Sequence, residues 1–223
     1  MSQIDEHKAP VIDLPVHGTW KLVKSPGHAR FAFDLAVVGN HSYQTLSKSR
    51  LHHLLGRTGV YDSYSWSRPI YAPNAGTVVR ASDGRPDRHQ LSLLRDLWSM
   101  FSSRPDPQRD GLGRFAGNHV IIRGAGSYIF LAHLQRGSLQ VNEGEKVKAG
   151  QPIGRVGNSG YTLEPHLHLQ LFDQIDDPLA ATAPRFLVSA YERWTGEHWE
   201  LVRNAVLRKG ELIRTLGSND LPV

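Results

Sequence analysis

Two histidines alternate with leucines in the segment EPHLHLQLFD, residues 164–173. Successive side chains of a β-strand point to opposite faces, so His166 and His168 share one face while the leucines line the other. The leucines account for a buried strand face. Two neighbouring imidazoles can bind a metal ion or transfer protons, although two polar residues on a solvated face would give the same pattern. Further ligands elsewhere in the chain are needed before the pattern predicts a metal site.

A histidine and an aspartate occur together in the segment SPGHARFAFDLAV, where His28 and Asp34 are six residues apart. This even spacing puts both side chains on one face if the segment is a strand. A neutral imidazole nitrogen and a carboxylate oxygen are both zinc ligands. A carboxylate in such an apolar run is costly unless it is paired or bound to metal, so we expect Asp34 to have such a partner.

A further histidine, His133, interrupts the apolar segment YIFLAHL. A lone histidine in such a strand is usually a core residue, but this one precedes the Gly-rich hairpins that lead to His166. The chain contains no cysteine, which excludes disulfides, thiolate metal sites and a cysteine nucleophile. Histidine and carboxylate are the strong metal ligands that remain, and we expect these residues to cluster.

The composition is that of an ordinary globular protein. At 223 residues, the chain is long enough for one sizeable domain with a hydrophobic core. Its formal net charge is +5, from 26 Lys and Arg against 21 Asp and Glu, and the basic residues are scattered. Such a distribution predicts a solvated surface, and we expect no nucleic-acid partner. The first residues lack the features of a secretory signal, and no apolar run reaches membrane-spanning length.

Strands must position the candidate residues, and the sequence predicts short antiparallel ones. From Gly18 to about Leu171, β-branched and aromatic runs are separated by turn signals such as APNAGT, NEGE and GNSG. One hairpin is predicted from Val120–Arg123 and Ser127–Leu134. After Pro184 the sequence predicts another hairpin, with TGEH at its turn, that extends the sheet.

Two segments interrupt the strand pattern. Residues 41–57 predict a loop with one or two helical turns. Residues 89–101 predict an amphipathic helix, because Leu91, Leu94 and Trp98 recur near the helical period. This helix either packs on the outside of the sheet or forms a lid over a cleft.

Several segments together resemble the lysostaphin-type, or LytM-like, zinc metallopeptidases. The matching elements follow the family's order: a first His and Asp, the strand RPIYAPNAGTVV, the strand YIFLAHL, the hairpin VNEGEKVKAGQPIG, the turn GNSG and the motif PHLH. The resemblance covers roughly residues 19–172 and is interrupted by insertions at about 41–66 and 84–115. Each motif is weak alone, whereas their joint occurrence in this order is specific.

The resemblance implies an all-β fold of the duplicated hybrid motif type. This fold is an antiparallel, LytM-like open barrel or sandwich, with one or two short helices in the insertions and a C-terminal hairpin extension. The implied organisation is an N-terminal tail at 1–18, a metallopeptidase domain at 19–180, and a C-terminal β extension of the same domain at 181–223.

The resemblance also implies the chemistry of the site. It makes His28, Asp34 and His168 the ligands of one zinc ion per chain, and it makes His133 and His166 the catalytic imidazoles. Three protein ligands leave a fourth position open, as in catalytic zinc sites. The implied activity is that of a zinc-dependent endopeptidase hydrolysing peptide bonds, with peptidoglycan cross-links or stem peptides as substrate.

Two features depart from the family pattern. The family usually spaces the first His and Asp four residues apart, whereas His28 and Asp34 are six apart. A bulge or a shifted turn would let them share a metal, and His17 or His41 is the alternative ligand. The second feature is the absence of an export signal, which predicts a cytoplasmic location, whereas the family resemblance implies the cell envelope or the extracellular space.

Three other classes match parts of the pattern. A non-catalytic LytM-like cell-wall binding or regulatory module is disfavoured, because every expected site residue has a candidate. Peptidases of the D-alanyl-D-alanine kind space their first ligand pair more widely, but GNSG and PHLH argue against them. Biotinyl-type carriers have hairpins like VNEGEKVKAGQPIG, but Lys146 and Lys148 lack the Met-Lys-Met setting of those carriers.

Overall fold

A computed structural model describes residues 9–23, 28–39, 44–102, 111–178 and 180–216. Eleven strands form one open sheet, and two pairs of short strands form two small sheets. Within these ranges the strands are β1 Val11–Ile12, β2 Thr19–Val23, β3 Phe33–Val37, β4 Thr58–Gly59, β5 Pro69–Tyr71, β6 Gly76–Ser82, β7 Gln90–Leu91, β8 Asn118–Gly124, β9 Ser127–Leu134, β10 Lys146–Val147, β11 Pro152–Arg155, β12 Leu167–Phe172, β13 Leu187–Trp194, β14 Trp199–Ala205 and β15 Leu212–Arg214. The prediction of an open, predominantly β fold is confirmed.

The main sheet has β12 near its centre. The strand order is β1-β13-β15-β2-β3-β12-β9-β8-β6-β10, and β14 also pairs with β13. The two small sheets pair β4 with β7 and β5 with β11. All of these pairs are antiparallel except that of β1, which runs parallel to β13. The hairpin predicted over residues 120–134 is present as β8 and β9.

The two faces of β12 have different surroundings. Leu167, Leu169 and Leu171 are fully buried in the main hydrophobic core, as their alternation predicts. On the opposite face, Phe172 stacks on Phe130 of β9, with 4.9 Å between ring centroids. The strand thus separates the core from the face that carries the histidines.

The sequence predicts one or two short helices, whereas the described part contains, besides a 3-10 turn at Val60–Asp62, three short α-helices. They are α1 Arg50–Leu54, α2 Leu93–Ser102 and α3 Leu112–Ala116. Both insertions therefore contain helix. The expected start of α2 at residue 89 is wrong, because residues 90–91 instead pair as β7 with β4. In the ranges that the structure describes, no helix has the length and apolarity needed to span a membrane.

The C-terminal strands extend the main sheet, as predicted. β13 and β14 form a hairpin whose turn covers residues 195–198, where the Thr195 amide donates to the His198 carbonyl at 3.0 Å. β15 then lies between β13 and β2. Because β2 pairs in turn with β3, the C-terminal strands belong to the same sheet as Asp34.

Candidate active site

Asp34 and His168 face each other across two neighbouring strands. They are directly opposite in the antiparallel pair of β3 and β12, so their side chains share one face of the sheet. His168 Nδ1 lies 2.9 Å from Asp34 Oδ1, and both residues are buried. The strand register therefore joins two segments that are far apart in the sequence.

His28 reaches the same site from a turn. β3 begins at Phe33, so the condition that one strand contains both His28 and Asp34 is not met. The Ala32 amide donates to the Ala29 carbonyl at 3.1 Å, and this turn brings His28 back towards the strand despite the wider spacing. His28 Nε2 lies 3.6 Å from Asp34 Oδ2, with 31% of the His28 side chain exposed.

These three side chains have the composition and spacing of a metal site. Across the described residues, theirs is the one group of three or more His and acidic side chains with converging donor atoms, which lie within 4.8 Å of one another. Ligands in a tetrahedron ~2.0 Å from zinc lie about 3.3 Å apart. The distances of 2.9 Å from His168 to Asp34 Oδ1 and 3.6 Å from His28 to Asp34 Oδ2 lie on either side of this value. The donor set of His28, Asp34 and His168 therefore fits a zinc ion.

Of the two alternative ligands, His17 does not join this group. The ring of His17 packs edge-on against Tyr71, with 4.3 Å between ring centroids. His41 lies outside the described residues.

His133 enters the site through a β-bulge at the end of β9. Asn118 pairs with Leu134 and His119 pairs with Ala132, so His133 is the extra residue of β9 in this register. Its φ of 64° lies in the left-handed region, which residues other than glycine rarely adopt. Such backbone strain is concentrated at functional sites. The bulge redirects the side chain, so simple alternation along β9 does not predict its direction.

The rings of His133 and His166 are each fixed by a backbone carbonyl. His133 Nδ1 lies 3.0 Å from the Ser159 carbonyl oxygen, and His166 Nδ1 lies 2.8 Å from that of Glu164. A carbonyl oxygen only accepts hydrogen bonds, so each Nδ1 carries a proton and donates. In the neutral ring, Nε2 is then the acceptor. Both rings are held in the tautomer that lets Nε2 act as a base.

The structure brings all five predicted residues together. The ring centroids of His133 and His166 are 4.7 Å apart, those of His133 and His168 are 6.0 Å apart, and those of His28 and His168 are 5.1 Å apart. His166 Nε2 lies 3.5 Å from Asp34 Oδ1 and, among the described residues, is a buried nitrogen with no hydrogen-bond partner. Four imidazoles thus surround one carboxylate.

Burial and charge shift the pKa values of this cluster. Burial disfavours the charged ring, and it lowers the pKa of His28 and sets the pKa of His133 well below its ordinary value. Burial alone would raise the pKa of Asp34, but His166 and His168 hold it well below its usual range. Burial also opposes charge on His166, although the Asp34 carboxylate raises its pKa overall. An ionised Asp34 and a neutral His28 are the states that bind a metal cation.

The GNSG turn lies against the site because two of its glycines allow close backbone contact. A Cβ at Gly157 would lie 2.3 Å from the Gln135 amide nitrogen, and one at Gly160 would lie 2.3 Å from the Gly117 amide nitrogen. Gly160 also has a φ of 77°. No other residue type fits these positions without displacing the backbone. This packing sets the Ser159 carbonyl against His133.

Two contacts to the histidines are not assigned by the sequence analysis. Gln170 Oε1 lies 3.3 Å from His168 Nε2, so it can accept the proton of that nitrogen and orient the ring. Thr162 Oγ1 lies 3.1 Å from His166 Nδ1. Alternation along β12 places Gln170 on the histidine face, so the sequence pattern could have indicated its contact with His168. The contact of Thr162 with His166 depends on a loop conformation that no sequence periodicity encodes.

The open β-sheet thus carries a cluster of His and Asp side chains whose donor atoms fit a metal ion. Residues 107–178 match the model of Peptidase family M23. This match confirms the resemblance to the LytM-like peptidases that the motifs predict.

Two curated relatives and one solved structure are similar to parts of this chain. Peptidoglycan DD-endopeptidase ShyA of Vibrio cholerae is 40% identical over 122 residues, which are 55% of this chain and 22% of that protein. Endolysin 2638A of a Staphylococcus phage is 45% identical over 62 residues, which are 26% of this chain and 13% of that protein. The catalytic domain of lysostaphin from Staphylococcus simulans aligns at 17% identity and a TM-score of 0.40, over 75% of this chain and 89% of that chain. This chain therefore spans less than a quarter of the length of these two curated relatives.

Proposed function

We propose that this protein is a zinc-dependent endopeptidase that hydrolyses peptide bonds in peptidoglycan cross-links or stem peptides. The observation that carries the proposal is the convergence of one carboxylate and four imidazoles. The carboxylate and two of the imidazoles have metal-ligand spacing. The other two imidazoles have Nε2 held as a hydrogen-bond acceptor. The matches to Peptidase family M23 and to the Vibrio peptidoglycan DD-endopeptidase support the substrate class.

In this proposal, His28, Asp34 and His168 hold one zinc ion per chain. Asp34 supplies the negative charge, and its burial strengthens the attraction for a cation. Gln170 orients the His168 ring by accepting from Nε2 while Nδ1 faces Asp34. A bound zinc ion supplies Lewis acidity, which polarises a peptide carbonyl and acidifies water.

His133 and His166 are the proposed catalytic imidazoles. Each has an Nε2 that can accept a proton from an attacking water molecule, and each can then donate that proton to the leaving amine or to the oxyanion. The carbonyl oxygens of Ser159 and Glu164 fix the Nδ1 protons, so neither ring has to change tautomer before it acts.

We further propose that residues 19–180 form the peptidase domain, that residues 1–18 are an N-terminal tail, and that residues 181–223 are an extension of the same domain. The pairing of β15 with β2 supports this continuity. The names of the cell-wall relatives lead us to propose the cell envelope or the extracellular space as the place of action.

Two measurements test the proposed function. Protein purified without added zinc should contain about one zinc per chain. Incubation with purified peptidoglycan should release new amino groups and convert cross-linked fragments into monomers, as measured by chromatography. Protein that contains zinc and binds peptidoglycan but releases no new amino groups would overturn the proposal and favour the non-catalytic module.

A further inference from the structure

Both insertions contact the loop that carries His166. This loop, residues 157–166, connects β11 to β12, and we refer to it as the histidine loop. Asp87 of the second insertion accepts from the Asn158 amide at 2.7 Å through Oδ1. The Asn158 side chain donates to the Arg88 carbonyl at 2.7 Å. The Arg88 amide also donates to the Asn158 carbonyl at 3.2 Å, so the insertion contacts the backbone of the loop as well as a side chain.

Arg88 continues this contact deeper into the histidine loop. One guanidinium nitrogen, Nη2, donates to the Thr162 carbonyl. The other, Nη1, donates to Asp96 Oδ1 at 2.7 Å. Asp96 lies on α2 and is 3% exposed, so its charge depends on this pairing. Arg88 therefore connects the insertion helix to the loop through charge-assisted hydrogen bonds, which are the stronger kind.

Thr162 passes this connection to His166. Its Oγ1 lies 3.1 Å from His166 Nδ1, and its hydroxyl donates to the Glu164 carbonyl at 2.8 Å. The same carbonyl accepts from His166 Nδ1. From the first insertion, the Thr45 hydroxyl approaches both Glu164 carboxylate oxygens, at 3.0 and 2.9 Å. Glu164, whose carbonyl fixes the His166 tautomer, is thus contacted by Thr162 at its backbone and by Thr45 at its side chain.

We propose that Arg88 is a positioning residue that holds the histidine loop, and with it the His166 ring, in the arrangement needed for catalysis. The inference rests on the proposed endopeptidase function. It also changes the expected role of the second insertion. A lid over the cleft would limit bulky substrates, whereas a support for the histidine loop serves every substrate equally.

The test compares Arg88→Met with Arg95→Met. Arg95 Nε lies 3.5 Å from the same Asp96 carboxylate, but 52% of the Arg95 side chain is exposed, and it donates to the Gln90 carbonyl rather than to the histidine loop.

The readouts are kcat and KM on a soluble peptide, zinc per chain, and amide hydrogen exchange of residues 157–166. For Arg88→Met we expect kcat to fall at least ~10-fold, because small displacements of catalytic groups have large effects on rate. KM should stay within about twofold, zinc content should be unchanged, and loop amides should exchange faster.

The control and a second variant define the outcome. Arg95→Met should keep kcat and loop exchange close to those of the wild type. Asp96→Asn retains the side-chain volume and removes the charge, so it should change both readouts in the same direction as Arg88→Met. Unchanged kcat and unchanged loop exchange in both Arg88→Met and Asp96→Asn would overturn the proposal. The proposal would also be overturned if either variant lost zinc or thermal stability while its kcat per bound zinc stayed normal. If the wild type hydrolyses no peptide, the proposed function fails, and the exchange measurement still decides whether Arg88 holds the loop.

Discussion

At the scale of single residues, the histidines of the site differ in what their nitrogens face. His28 and His168 each direct a nitrogen at an oxygen of Asp34, with distances of 3.6 and 2.9 Å. His133 and His166 each donate from Nδ1 to a backbone carbonyl. His166 also has its Nε2 3.5 Å from Asp34 Oδ1, so the Nδ1 contact to a backbone carbonyl, and not nearness to Asp34, distinguishes the proposed proton carriers from the proposed ligands.

This difference predicts that ligand variants lose zinc, whereas variants of the catalytic imidazoles keep zinc and lose activity. Asp34→Ala and His168→Ala should each weaken zinc binding by more than the ~10- to 100-fold expected when only an orienting partner is lost, because each variant removes a direct ligand. His133→Asn should retain one zinc per chain and lose activity by roughly 10²- to 10⁴-fold, the usual contribution of acid–base catalysis. Asn is chosen because it tolerates the left-handed backbone of residue 133. Zinc titration and peptide hydrolysis measure the two effects.

His17→Ala is the matched control for these variants. Its ring contacts Tyr71 rather than the carboxylate, so the variant should keep both zinc and activity. Loss of zinc in His17→Ala, together with retention in His28→Ala, would exchange the roles of these two histidines. A zinc-free His133→Asn would contradict the division between ligands and proton carriers.

At the scale of elements, the sequence predicts those parts of the site that depend on alternation. The leucines of β12 reveal which face is buried, and from this the shared face of His166 and His168 follows. Alternation fails for His28, which lies in a turn before β3, and for His133, which lies in a bulge. Neither irregularity has a local signature, because each depends on how the chain packs against a neighbouring segment. The contact of Arg88 with Thr162 is similarly nonlocal, since it joins an insertion to a distant loop.

The GNSG turn allows a prediction at this scale. Gly160→Ala should lower the free energy of unfolding by at least about 2 kcal/mol, since an alanine there is strained in the left-handed region and its Cβ meets the Gly117 backbone. Activity should fall as well, because the displaced turn carries the Ser159 carbonyl that orients His133. Denaturant unfolding and peptide hydrolysis measure the two effects.

Gly126→Ala separates the two causes of this destabilisation. Gly126 has a φ of 75°, similar to that of Gly160, but an added Cβ there has no atom within 4 Å in the described structure. This control should lose only about 1 kcal/mol, the cost of the backbone conformation, and should keep its activity. Equal losses of stability in the two variants would mean that close packing of the turn contributes nothing.

At the scale of the whole molecule, two of the three proposed metal ligands lie within a sheet that continues to the C-terminal strands. His168 is on β12 and Asp34 is on β3, which connects through β2 and β15 to the C-terminal hairpin. Trp20 on β2 and Tyr191 on β13 are both buried in the one main core. Because the core is shared, we expect the site and the C-terminal extension to unfold together.

Removal of the metal should therefore destabilise the entire fold in a single transition. Zinc at 100 times its dissociation constant would contribute about 2.7 kcal/mol to stability if it binds only the native state. In a chain of 223 residues, 1 kcal/mol corresponds to about 2–4 °C in Tm, so addition of a chelator should lower Tm by roughly 5–10 °C. Calorimetry should show one transition before and after chelation, with equal calorimetric and van't Hoff enthalpies. The Asp34→Ala variant, which lacks a ligand, should show no further decrease in Tm when the chelator is added. Two separate transitions, of which only one responds to the chelator, would contradict the shared core and separate residues 181–223 from the domain that holds the site.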